Sequence, residues 1–256
     1  MKFIVLFTFL YTTLALNAQN LVPNPSFEIY TICPTNYTDE SVHELIPGWQ
    51  IPTRGSSDYF NSCALISVNV PENFMGNCFA RDGQAYAGFI LLEEPPIDSV
   101  FKKASYREYI QAELIQPLKH NNLYCVKFYY AIATNSTYAI NRLGVYFSKK
   151  KIRDRFSAGV LNFKPQIQID TLKINSDREY WFLEADTFRA QGGEKYITIG
   201  NFYDDNHTRY KTLDLTGYRL SLREKIESLK LAYYYIDMIS VEKLDNSENC
   251  LEPVEK

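Results

Sequence analysis

Histidine and methionine are scarce in these 256 residues, with three of each. His43, His120 and His207 stand apart in polar surroundings, and none lies in an HExxH pattern. No GxSxG elbow and no glycine-rich phosphate loop occurs. Metalloprotease, serine-hydrolase and phosphate-loop chemistry therefore lack their residues. Asp204-Asp205-Asn206-His207 has metal-binding side chains but reads as a solvated turn. A carboxylate pair for glycoside hydrolysis requires a separation that sequence does not give. A protein that is not an enzyme is expected. No CxxC pair exists, which argues against zinc and thioredoxin-like chemistry. Basic excess is missing too: 27 Lys and Arg face 30 Asp and Glu, for a net charge of -3. That leaves no electrostatic case for nucleic acid. One basic run, 149–155, reads as a solvated loop, with an anion site as its alternative. Internal repeats, low-complexity tracts and linkers are absent, so one domain suffices.

Long apolar runs are missing after the first residues. Lys2 followed by the apolar stretch 3–16 and Leu16-Asn17-Ala18 reads as a secretory signal peptide over 1–18, giving a mature start at Gln19. A membrane span needs about 20 apolar residues, so no span is expected after cleavage. No Cys follows the leader, so no lipoprotein anchor is expected there. The domain is read as 19–245, with a C-terminal tail over 246–256. Export permits disulfides. Five cysteines are present, so at least one thiol lacks an internal partner. Cys33 and Cys63 share a loop-rich region and are expected to pair. The pairing of Cys78, Cys125 and Cys250 stays open.

What is abundant is aromatic: 20 Tyr and 16 Phe. Such residues suit pleated, half-buried strands. Period-two alternation dominates. In 124–130, Tyr124, Val126, Phe128 and Tyr130 share one face, and Leu143, Val145 and Phe147 repeat the pattern. Strands are also expected at 106–114, 195–202 and 233–241. The stretch 84–92 is apolar almost throughout and is expected to be buried on both faces. Only 221–230 looks helical. Turn signals separate the runs, which indicates an all-β antiparallel sandwich or barrel. The segment 29–77 is a long irregular excursion, of the kind that is functional or crosslinked.

In order, the chain reads NLVPNPSFE (20–28), PGW (47–49), DGQAYAGF (82–89), LIQPLKHNNLYCVKFYYA (114–131), GGEKYITIGNF (192–202) and YYYIDMISVEK (233–243). This order resembles carbohydrate-binding modules of the jelly-roll, galactose-binding-like fold. The stretches CPT (33–35), SDYFNSC (57–63), VPENFMG (70–76) and YREYI (106–110) are similar to a domain of envelope proteins in gliding, type IX-secreting Gram-negative bacteria. There it often precedes an OmpA-like domain or a sorting tail, for which this chain, ending at Lys256, has no room. The resemblance implies a jelly-roll β-sandwich and a non-catalytic binding module of the cell envelope. The module would be periplasmic, outer-membrane-associated or on the cell surface, with a glycan or an envelope protein as partner. The alternative is a structural or docking subunit of an envelope, secretion or motility assembly.

Two site expectations follow. Alternation places Tyr235, Asp237, Ile239 and Val241 on one inward face, which makes Asp237 a carboxylate needing compensation. Glu28 is its natural companion. Many modules of the resembled type hold a structural Ca²⁺ with such carboxylates, and backbone near Asp82 and Gln84 would add ligands. Pro25 and Met238 depart from the family pattern of Gly and a second Asp. Alternatively, the two carboxylates cap turns or pair with Lys or Arg. For the ligand, Arg107, Tyr109 and Gln111, with Lys127, Tyr129 and Tyr146, are expected to form an aromatic and polar sheet face suited to sugar. An ordinary solvent face is the alternative.

Overall fold

The computed structural model describes residues 19–37, 42–94, 105–169, 172–216, 230–244 and 250, without the side chains of Val42 and His43. The expected leader, nearly all of the expected helix at 221–230, and the tail apart from Cys250 lie outside the described residues.

Two five-stranded antiparallel sheets form the body. The first runs β1 (Trp49–Gln50), β6 (Tyr109–Glu113), β12 (Tyr196–Gly200), β9 (Gly144–Ser148) and β10 (Ile167–Gln168). The second runs β11 (Phe182–Arg189), β7 (Leu123–Ile132), β14 (Leu231–Lys243), β5 (Ala85–Glu93) and β2 (Asp58–Asn61). Two small ladders pair β3 (Glu72–Asn73) with β4 (Gly76–Asn77), and β8 (Tyr138–Ile140) with β13 (Tyr210–Thr212). Helix among the described residues is limited to one turn, Val42–Leu45, and a 3-10 turn at Asp205–His207. From β5 to β7 the chain crosses from the second sheet to the first and back. It returns to the first at β9, to the second at β11, to the first at β12 and to the second at β14. This exchange between two packed antiparallel sheets is the jelly-roll form of a β-sandwich.

Alternation explains the core. Val126, Phe128, Tyr130 and Ile132 of β7 face the space between the sheets, and Val145 and Phe147 of β9 meet them with Ile197 and Ile199 of β12. Each such side chain contributes roughly 1.5–3 kcal/mol by leaving water. A second apolar layer lies outside the second sheet. Phe60, Met75, Tyr86, Tyr233 and Tyr235 pack there with Val68 and Val70 of the excursion. The Tyr86 and Tyr235 rings sit 4.8 Å apart. This cover is why β5 is buried on both faces, as its apolar run suggests.

The facing of β14 corrects simple alternation. Its pairing with β7 shifts between Asp237 and Ser240, and Met238 has φ 51. The bulge inserts a residue and reverses the phase. Tyr234 and Ile236, then Ile239 and Val241, point into the core, while Tyr235 packs in the outer layer. Asp237 therefore shares the outer face of Tyr235 and not the inner face of Ile239 and Val241.

Residues 20–28 run beside the end of β14. Leu21 N–H donates to Val241 O at 2.9 Å, and Ile239 N–H donates to Pro25 O at 3.0 Å. Pro23 and Pro25 have no N–H to donate, so a regular ladder cannot form. The Asn20 side chain fills in, donating to Ile239 O and accepting from Val22 and Val241 N–H.

Cys33 and Cys63 are bonded, with Cα atoms 6.0 Å apart. Cys125 bonds Cys250, fastening the chain's end to the outer face of β7. By chain entropy, loops of 30 and 125 residues correspond to about 4 and about 5 kcal/mol. Cys78 is the remaining thiol, half-buried. Burial, with Asp237 nearby, pushes it up to about 12. No described helix is long and apolar enough to cross a membrane.

Candidate functional site

The two carboxylates singled out in the sequence meet at one turn. Asp237 Oδ2 accepts from the Arg81 and Asp82 amides at 3.0 and 3.1 Å, and its Oδ1 accepts from Met238 N–H at 2.7 Å. Glu28 Oε1 accepts from the Gln84 and Ala85 amides, both at 2.9 Å. Gly83, at φ 63, lies between them; a Cβ there would fall 2.4 Å from the Glu28 carboxyl. The turn 81–85 is thus held at both ends by the first and last segments of the domain. Burial is the main cause that raises Asp237 to about 7, against the pull of its three amide donors.

This donor set bears on the expected calcium. Ca²⁺ takes six to eight oxygen ligands. Here Arg81, Asp82, Gln84 and Ala85 offer amide protons, which a cation cannot use. Among the described residues no three of His, Cys, Asp and Glu converge on one point. As placed, Glu28 and Asp237 clasp the amides of the turn that holds Asp82 and Gln84, and a calcium ion here would have to displace those bonds and take further oxygens from the backbone.

Just beyond the clasp, a groove of about 390 Å³ opens on the outer side of the second sheet. Phe79, Arg81, Arg178, Tyr180 and Trp181 line it, with Cys78 and Ala131 also in its walls. Phe79 is 73% and Tyr180 63% exposed, and their grouping in one groove, rather than the exposure of either ring, marks a surface able to meet a ligand. Trp181 is anchored: its indole N–H donates to Phe79 O at 2.9 Å, and its ring meets Tyr86 edge-on at 5.8 Å. The Arg178 guanidinium is fixed by bonds to the Thr134 and Asp214 carbonyls. The Arg81 guanidinium lies 4.4 Å over the Tyr129 ring. The clasp sets the Arg81 backbone, so one device positions the groove's exposed cation.

The six expected ligand residues do not share a face. β6 and β9 belong to the first sheet, whereas β7 belongs to the second. Lys127 and Tyr129 are half-buried on β7, and the groove's Arg81 lies over Tyr129. Arg107, Tyr109 and Gln111 do alternate away from the core, but that outer face is sealed. The segment 149–163 and the loop after β12 cover it, and Tyr109, Leu161 and Phe202 form a small cluster of their own. Arg107 is wholly buried, donating to Tyr203 O and Tyr106 O and pairing with Asp205 at 2.7 Å. Tyr109 donates to Asn201 O, and Gln111 donates to Thr198 Oγ1. Arg107 and Tyr109 hold loops, Gln111 joins neighbouring strands, and none of the three meets solvent. Tyr146, half-buried, opens into a separate basic groove.

Phe79, Arg81, Arg178, Tyr180 and Trp181 escaped sequence reasoning because about a hundred residues separate the two groups. The adjacent pair Tyr180-Trp181, just before a strand, was the available signal. His207 Nδ1 lies 2.6 Å from Asp204 Oδ1, and Asp204 caps the 3-10 turn. His120 Nδ1 lies 2.7 Å from Gln191 O. His207 serves its own turn, and His120 ties its turn to the distant one at Gln191.

The chain matches no family model and no curated protein. Some solved structures are similar to it at low identity and low TM-score. The K1 cleaved adhesin domain of Lys-gingipain from Porphyromonas gingivalis is 13% identical over 80% of this chain and 97% of that one, with a TM-score of 0.35. The CBM22-1 xylan-binding domain from Paenibacillus barcinonensis is 10% identical over 83% and 94%, at 0.36. TmCBM61, solved with beta-1,4-galactotriose, is 12% identical over 89% and 100%, at 0.33. Likeness this distant carries no argument, and any functional reading has to come from the chain's own surface.

Proposed function

We propose that this chain is an exported, non-catalytic module that binds a glycan in the groove lined by Phe79, Arg81, Tyr180 and Trp181. One observation carries the reading: exposed rings and a stacked guanidinium converge in a concave site whose backbone is held by the Glu28–Asp237 clasp. Flat rings pack against sugar faces, and guanidinium N–H groups bond hydroxyl oxygens. Anchoring on a sheet and a clasped turn limits the ordering cost of binding. The two disulfides suit an oxidising compartment. The envelope setting, outside or beneath the outer membrane, is part of the proposal. A glycan array probed with the mature chain, beside Phe79→Ala and Tyr180→Ala, tests it. Both side chains are exposed, so the variants keep the fold. Loss of the array signal in the variants supports a glycan site. Retained signal places the glycan outside this groove, and capture of an envelope protein through this groove without any glycan favours a docking subunit.

A further inference from the structure

A second groove, of about 790 Å³, lies on the opposite side of the sandwich, over the outer face of the first sheet. The segment between β9 and β10 walls it. Its aromatic part is Tyr146 with Phe163 stacked on it, ring centres 4.6 Å apart and planes 10° apart. Its basic part is Lys149, Lys150, Lys151 and Arg153.

These cations have little to neutralise them. Among the described residues, none of the four takes part in an ion pair. Two carboxylates lie near. Asp154 Oδ1 already accepts from the Phe156 and Ser157 amides, and Glu113 acts on Lys151 from the end of β6. Burial, then Arg153 and Arg155, push the Lys151 ammonium below its ordinary value, with Glu113 opposing. Like charges crowded on one concave wall concentrate anions. A basic run on a convex loop would be merely solvated, but this one is folded around a cavity beside stacked rings. Rings take the face of a sugar, and the cations take its acidic substituents. The concavity suits a chain and not a flat bilayer.

We propose that this groove binds an acidic glycan, a chain bearing carboxylate or sulfate groups. Its sugar ring lies against Tyr146 and Phe163, and its anionic groups meet Lys149, Lys151 and Arg153. The site is independent of the groove at Trp181, and the module would hold two glycan segments on opposite faces.

The test is titration of the mature chain with polygalacturonate, dextran sulfate and uncharged dextran, and with phosphatidylglycerol vesicles. At least one polyanion should bind, weakening as salt rises, while dextran at this groove should not. The triple variant Lys149→Ala/Lys151→Ala/Arg153→Ala should lose at least tenfold in affinity at an unchanged melting temperature. Phe163→Ala should lose at least threefold, and Phe79→Ala/Tyr180→Ala should lose nothing. The last comparison separates failure here from failure of the first groove. Binding of neither polyanion, or equal binding by the triple variant, overturns the proposal. So does vesicle binding that needs the three cations when polysaccharide binding ignores Phe163→Ala, since that marks an anionic-membrane surface.

Discussion

Glu28 and Asp237 grip the two ends of one turn, Glu28 through the amides of Gln84 and Ala85 and Asp237 through those of Arg81 and Asp82. Two residues near opposite ends of the domain thereby fix the backbone from which Arg81 reaches the groove. Gly83 makes the close approach possible. Gly83→Ala adds a Cβ 2.4 Å from the Glu28 carboxyl at φ 63. The strain and clash together should remove about 1–3 kcal/mol. For a domain of this size that lowers the melting temperature by several degrees. Ala at position 83 with an unchanged melt would mean that the clasp is not tight.

Because amide protons satisfy these carboxylates, chelation should leave the thermal melt of the mature chain unchanged, and added Ca²⁺ should not raise it. A cation that bound only the folded state would stabilise it by RT ln(1 + [L]/Kd), about 2.7 kcal/mol at a hundredfold excess. A melt that falls by several degrees with chelator and recovers with Ca²⁺ would restore the calcium reading.

Asp237 gives a pH signature. Its folded-state value, near 7, lies above the ordinary 3.8 of an aspartate, chiefly through burial. The folded state therefore holds this proton more tightly than the unfolded state does. The contribution is fully present below about pH 4 and is lost as pH rises through about 7. Asp237→Asn removes that titration. The melting advantage of the wild type over Asp237→Asn should shrink between pH 5 and pH 8. An advantage that grows over that range would contradict the assignment.

Cys78 should be slow to react. Burial and the neighbouring Asp237 keep it protonated far above neutral pH, and the thiolate is the nucleophile. Alkylation of the native protein at pH 8 should be at least tenfold slower than after unfolding without reductant. Peptide mapping should then find one labelled cysteine, Cys78. Equal rates would contradict the burial of Cys78, and label at Cys33, Cys63, Cys125 or Cys250 would contradict the two disulfides.

The fold was legible where strands alternate against a single core. Residues 124–130 and 143–147 gave correct inward faces because Val126, Phe128, Val145 and Phe147 contrast with polar neighbours. β11 was not legible: it is a sheet edge, half-exposed, and Glu184, Asp186 and Thr187 blur its period. Alternation failed on β14 because the bulge at Met238 has no pattern of its own in the sequence. Burial by a covering loop was equally hidden. Arg107, Tyr109 and Gln111 alternate as a solvent face would, and only the fold of 149–163 shows them sealed. The convergence of Glu28 and Asp237 was visible from their places in the first and last segments, but their partners, the amides of 81–85, depend on the geometry of a turn.

The central claim is that the rings at Phe79, Tyr180 and Trp181 bind sugar. The most direct measurement is the affinity of the best uncharged array glycan for the wild type and for Phe79→Ala/Tyr180→Ala by calorimetry. The account predicts at least a tenfold loss, about 1.4 kcal/mol, with an unchanged melting temperature. An equal affinity in the two proteins, or no glycan bound by the wild type, would contradict it.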